Sequence, residues 1–248
     1  MTIRRGDRVE ILTSTMRSKL LVALLVNAGT YVWTDKLITE LWDGQPPHRP
    51  DWALQSGVMR LKKFLRGWGE QITIEHGPSG AYRLDLGDTD FDVAEFRQLT
   101  QRALHLLGTG SPDGIGVGRS ALTLWTDTDA FINVQLGALG STERTHLEQQ
   151  RSLLTERVLE AELRAGRHRE LIPELSMLVD RHRDREYFHQ LYMTALYSAG
   201  RQAEALEVYW CLRDRLRALY GVEPTPPLRE TYLAILRQDT ALSRDETD

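Results

Sequence analysis

Ala161-Glu-Leu-Arg-Ala165-Gly-Arg167 returns 34 residues later as Ala195-Leu-Tyr-Ser-Ala199-Gly-Arg201. Beyond the glycine, Glu170 matches Glu204, Leu178 matches Leu212, and Asp180, Arg181 and Arg183 match Asp214, Arg215 and Arg217. Nine identities over 23 aligned positions exceed what shared composition gives. A fixed period of this size marks an array of helix pairs, in which small residues let helices approach closely and glycine makes the turn.

The period is the tetratricopeptide length. A third, partial unit follows at Pro226–Leu236 and reads as a capping helix. The competing architecture is a plain antiparallel bundle. Upstream, the chain from Phe91 onward reads as helix throughout, apart from a glycine-rich loop at Gly108–Gly118.

The N-terminal part has a different grammar. Arg8–Leu12 reads as a single short strand after a turn at Arg5–Asp7. Leu20, Leu21, Leu24 and Leu25 recur at helical spacing and stop at Asn27-Ala-Gly29. A second helix starts with Thr34 as N-cap and turns Leu37, Ile38, Leu41 and Trp42 inward. A third runs from about Asp51 to Trp68, and Gln71–Glu75 and Ala81–Asp85 then form a hairpin.

The third helix carries the chemistry. At 100° per residue, Leu54, Val58, Leu61, Leu65 and Trp68 line one apolar stripe. Trp52, Ser56, Met59, Arg60, Lys63 and Arg66 occupy the opposite face, flanked by Gln55 and Lys62. No acid follows Asp51, whereas a solvated helix usually pairs its signs. Clustered cations suit phosphates, and a helix fits the major groove. Three helices and a hairpin form a winged helix, in which the third helix enters that groove. A merely solvated basic face is the alternative.

Charge divides the 248 residues in the same place. The chain has 31 basic and 35 acidic residues; residues 1–86 carry +3 and the remainder −7. Length and composition fit one or two globular domains. The apolar run Leu20–Val26 is too short to span a bilayer, and no signal peptide precedes it, so a cytoplasmic location is expected. The lone Cys211 excludes an internal disulfide and a multi-cysteine metal site. It aligns with Met177 and reads as core filler. His168, His182 and His189 have no ligand spacing and read as solvated or capping residues. No zinc-protease pair, P-loop or nucleophile elbow is present. Gly116-Val-Gly118-Arg-Ser-Ala121 matches a loose dinucleotide fingerprint without the strand that motif needs. A non-enzyme without metal or cofactor is expected.

Leu20–Leu25, Asn27-Ala-Gly29, Leu37-Ile38, Leu41-Trp42, Pro46-Pro47, Ala53–Ser56 and Gly80–Leu84 together resemble the OmpR-type winged helix of the Streptomyces antibiotic regulatory protein (SARP) family. Leu191–Leu206, Leu219–Pro224 and Pro227–Arg229 resemble that family's bacterial transcriptional activation domain. The sequence departs from the family pattern in lacking the usual opening strand, in having Lys62 and Lys63 where arginine is more usual, and in a hairpin tip one residue longer. The resemblance is to the short, stand-alone members. It implies a mainly α chain: an N-terminal winged helix-turn-helix (α+β) over residues 1–86, then a tetratricopeptide-like all-helical domain over 90–248.

The function implied is activation of a secondary-metabolite (antibiotic) gene cluster. Such a protein binds direct repeats in double-stranded promoter DNA, beside a second protomer, and recruits RNA polymerase holoenzyme from a cytoplasmic, nucleoid-associated position. Arg60 and Gln55 are expected to read bases, and Lys62, Lys63 and Arg66 to hold phosphate, with Trp52, Ser56 and Met59 completing the face. His76 and Arg83 belong to the wing, and Thr34 offers its backbone N–H to a phosphate. Trp210, out of phase with the Leu206–Tyr209–Leu212 stripe, is the candidate for a partner contact. The rival function is a helical-repeat adaptor or ligand sensor whose winged helix docks protein.

Overall fold

The structure, a computed structural model, describes residues 2–5, 7–13, 15–69, 71–126 and 129–239. The chain forms two compact units that interleave along the sequence. One contains the residues up to Gln98 together with Thr123–Arg151; the other contains Leu99–Leu122 and the chain from Ser152 onward. The sequence reading divides the chain once, between residues 86 and 90; the last nine residues of its second domain lie outside the described part.

In the first unit, β1 (Thr2–Arg5) and β2 (Arg8–Ile11) pair antiparallel, with Thr2 opposite Ile11 and Arg5 opposite Arg8. The expectation of one strand, with the opening strand lacking, is therefore corrected. Only Ile3 of β1 is even half-buried, so the strand has no apolar face to betray it. Thr15 caps α1 (Met16–Leu25) by accepting the Ser18 amide, and every residue from Leu20 to Leu25 is buried. A helix apolar all round belongs in the centre of a core. Around it stand β3 (Val32–Trp33), α2 (Thr34–Trp42), α3 (Pro50–Arg66), β4 (Thr73–His76) and β5 (Ala81–Asp85).

The three-stranded sheet has the order β3-β5-β4, with His76 opposite Tyr82 and Val32 opposite Tyr82 on its other side. A two-residue strand such as β3 is too short to show alternation. Proline at the first position of α3 supplies a preset φ without losing a needed donor. Leu54, Val58, Leu61, Leu65 and Trp68 are all buried, each contributing about 1.5–3 kcal/mol by burial. Gly57 faces Leu20 of α1.

The segment Thr123–Arg151 completes this unit. Phe96 of α4 (Asp92–Gly108) meets Trp125 edge-on at 5.4 Å, and Arg97 pairs with Glu143. Phe91 and Leu139 pack against the winged-helix core.

In the second unit, α5 (Asp113–Thr123) occupies part of the stretch expected to be a loop. Among the described residues, the non-helical stretches lie instead at 124–126 and 129–137. Glycines that read as breakers are packing devices: a Cβ on Gly118 would overlap the Val158 side chain, and one on Gly114 would lie 2.9 Å from Leu107. Gly116 and Gly118 thus sit inside a helix rather than in a loop between strand and helix. The long α6 (Ala138–Arg164) gives its first half to one unit and its second half to the other.

The repeat then appears in three dimensions, through α7 (His168–Arg181), α8 (Glu186–Ser198), α9 (Gln202–Tyr220) and the closing helix α10 (Pro226–Leu236). Gly166 and Gly200 both adopt left-handed conformations, at φ 78° and 81°. Just after each turn, arginine pairs with glutamate three residues on: Arg167 with Glu170 at 2.8 Å and Arg201 with Glu204 at 2.7 Å. These pairs explain two of the repeated identities.

Two readings in this unit are corrected. Cys211 is exposed because α9 buries Ala205, Tyr209, Leu212 and Leu216 on its other side, and Met177 of α7 is exposed as well. His189 is buried, with Nδ1 3.2 Å from the Arg185 carbonyl oxygen. Burial lowers its pKa, against a smaller opposing pull from that carbonyl and from Glu186 and Asp184. The unfolded chain then binds the proton more readily than the folded one. Stability is fully present above the ordinary histidine pKa and declines as pH falls through and below it. Between about pH 7.5 and about pH 5.5, the wild-type chain should lose more thermal stability than His189→Asn. Equal losses in the two proteins would clear His189 of this role.

Candidate nucleic-acid interface

The open side of α3 follows from its buried side. With one stripe committed to the core, Trp52, Gln55, Met59, Arg60, Lys63 and Arg66 are exposed, and Ser56 and Lys62 are half-exposed at the edges. Trp52 and Met59 keep 69% and 67% of their surface, so they are not core residues that happen to lie near the rim. Among the described residues, Arg60, Lys62, Lys63 and Arg66 form no ion pair. Other arginines of the same unit do: Arg17 with Glu10, Arg83 with Glu75 and Arg97 with Glu143. The face therefore presents uncompensated positive charge on a rigid helix, an arrangement suited to a polyanion.

The C-terminal end of α3 is held by groups the sequence reading missed. There Arg8 donates to the Gly67 carbonyl at 3.0 Å and lies 4.1 Å over the Trp68 ring, while Arg17 lies 4.1 Å over Phe64. Cation–π contacts between a strand, two helices and a turn leave no periodic trace in sequence. At the N-terminal end, burial raises the pKa of Tyr82 on β5, and the Asp51 carboxylate raises it further.

The wing is also braced. Arg83 pairs with Glu75 at 2.7 Å and lies 5.2 Å over the Tyr31 ring, while Tyr31 donates to the same carboxylate at 3.3 Å. A Cβ at Gly77 would overlap the Tyr31 ring. His76 is exposed and meets Tyr82 edge-on at 5.1 Å. The placement of Thr34 is corrected. Trp33 is the N-cap and Thr34 is the first residue of α2, because its hydroxyl donates to the Gly80 carbonyl instead of capping the helix. That bond ties the start of α2 to the tip of the wing.

In the helical unit, Tyr209 stacks on Tyr232 at 4.1 Å, and Trp210 stands edge-on to both. Trp210 remains 43% exposed, with Arg213 4.9 Å over its ring. Tyr192 and Tyr197, by contrast, pack against the core.

The model of the bacterial transcriptional activator domain matches residues 91–236, more than half of the chain. This chain belongs to the SARP family. Its SARP relatives include the regulatory protein DnrI of Streptomyces peucetius, 35% identical over 90% of this chain and 84% of DnrI. The regulatory protein AfsR of Streptomyces griseus is 33% identical over 97% of this chain, which spans only 24% of AfsR. The solved structure of Mycobacterium tuberculosis EmbR, in complex with a low affinity phosphopeptide, superposes with a TM-score of 0.81 at 27% identity. The match covers 94% of this chain and 63% of that one. As a SARP member the chain is a transcriptional regulator, built from a small N-terminal sheet region and a mostly helical remainder.

Proposed function

We propose that this SARP protein activates a secondary-metabolite (antibiotic) gene cluster by binding direct repeats in double-stranded promoter DNA. Two protomers side by side would hold RNA polymerase holoenzyme at the promoter. The observation that carries the DNA-binding reading is the cationic face of α3, which forms no ion pair among the described residues, opposite a fully buried stripe. Arg60 and Gln55 read base edges in the major groove, and Lys62, Lys63 and Arg66 hold phosphates. Trp52, Ser56 and Met59 fill the remaining contact area. His76 and Arg83 serve the wing, and the backbone N–H of Thr34 takes a phosphate at the start of α2.

The test is a footprint of the full chain on DNA upstream of its neighbouring genes, repeated across a salt series. A protected direct repeat is expected, with log affinity falling by about 0.9 per phosphate contact for each log unit of salt. The adaptor reading expects no protected site at any salt concentration.

The acidic helical part is unsuited to DNA by charge and supplies the partner contact. Trp210→Ala should keep operator affinity and melting temperature but lower activation in a reconstituted transcription assay. A large fall in melting temperature, with normal activation per folded molecule, would return Trp210 to a structural role.

A further inference from the structure

Glu40 lies on α2, the helix before the recognition helix, and is 2% exposed. Its carboxylate reaches the N-terminus of α6. Oε1 accepts from the amides of Gly137 and Gly140, each at 3.0 Å, and Oε2 accepts from the amide of Leu139 at 2.6 Å. A helix leaves its first amides without internal partners, and here one carboxylate distant in sequence satisfies three donors at that end. Its negative charge also meets the positive end of the helix dipole.

The joint is shaped as well as charged. A Cβ on Gly137 would overlap the Glu40 carbonyl and carboxylate, and one on Gly140 would meet the Leu136 side chain at 2.9 Å and Oε1 at 3.2 Å. Leu139, between these glycines, packs into the winged-helix core. An apolar residue at position 40 could bury itself among Leu37 and Leu41 in several registers. A carboxylate bonded to three amides has one register, because any slip leaves a buried charge short of donors.

We propose that Glu40 is a positioning residue for DNA binding. By locking α2 to the first turn of α6, it sets the recognition helix that packs on α2. The DNA-binding head is then completed by a segment lying within the stretch matched by the activator-domain model. This inference rests on the DNA-binding reading of α3.

The test uses three variants of the full chain: Glu40→Gln, Gly137→Ala and Gly140→Ala. Glutamine keeps the shape but turns an NH2 group toward amide donors. The alanines open the same joint while leaving every α3 side chain untouched, with Gly140→Ala the mildest of the three. Operator affinity is measured per folded molecule, with amide exchange on the free protein. Glu40→Gln and Gly137→Ala should each weaken binding about tenfold, and Gly140→Ala less. The Glu40→Gln/Gly137→Ala double variant should be no weaker than the worse single one, since both break one joint. Exchange should rise at residues 139 and 140 and along α2. Folded variants that bind like wild type would overturn the proposal while leaving the reading of α3 intact. A wild-type chain that binds no promoter DNA would remove that reading, and this inference with it.

Discussion

Replacing both Arg60 and Lys63 by alanine is expected to weaken operator binding roughly a hundredfold or more, at unchanged fold. Both side chains stand on the open side of α3, so truncation creates no cavity, and among the described residues neither takes part in an ion pair that would be orphaned. The single variants should differ in kind. Loss of a bidentate base contact at Arg60 costs about 1–3 kcal/mol and relaxes preference at one base pair. Loss of a phosphate contact at Lys63 weakens all sequences alike and lowers the salt slope by about one. Binding by both single variants at wild-type strength and physiological salt would mean that α3 is not the reader. Equal melting temperatures for all the proteins are the necessary control.

The largest effect on stability is expected at Arg119→Leu. Arg119 on α5 binds two carboxylates: Glu174 of α7 at 2.7 Å, and Glu162 of α6, which is 1% exposed. Burial opposes its charge, but hydrogen bonds to Glu174 and Glu162 outweigh that and raise its pKa above the ordinary arginine value. Removing one partner of a buried pair costs about 3–5 kcal/mol where the remaining charge is left without water or counterion. Arg167 still reaches Glu162 at 2.7 Å, so the lower end of that range applies. A fall of roughly 6–12 °C in the melting of the helical unit corresponds to that loss. Adding Glu162→Gln should recover much of it, because the amide carries no charge to strand. A single Arg119→Leu variant that melts like wild type would show the network to be solvated.

The contrast between the two sites shows what sequence can carry. The stripe and face of α3 were legible because both follow one helical period, and each residue's environment depends only on its place on the wheel. The repeat was legible for a similar reason: Gly166 and Gly200 need the same left-handed turn, and each is followed by the same arginine–glutamate pair. What escaped depends on partners far away in the chain. Glu40 looks like any exposed acid on a polar helix edge until Gly137–Gly140 arrive. The glycines of α5 look like breakers until Val158 and Leu107 press against them. His189, expected to be solvated or capping, is buried, and Cys211, expected in the core, is exposed, because the packing of α8 and α9 decides which side of each helix faces inward.

The exposure of Cys211 has a practical corollary. It is the chain's sole thiol, standing on the solvent side of α9 one residue from Trp210. A maleimide dye would therefore attach at one known address, and its emission would report anything that docks beside that tryptophan. Air oxidation can join two such chains by a bond between their sulfurs. Protomer counts on DNA should therefore be taken with a reductant present, or on Cys211→Ser, so that a chemical cross-link is not mistaken for cooperative assembly.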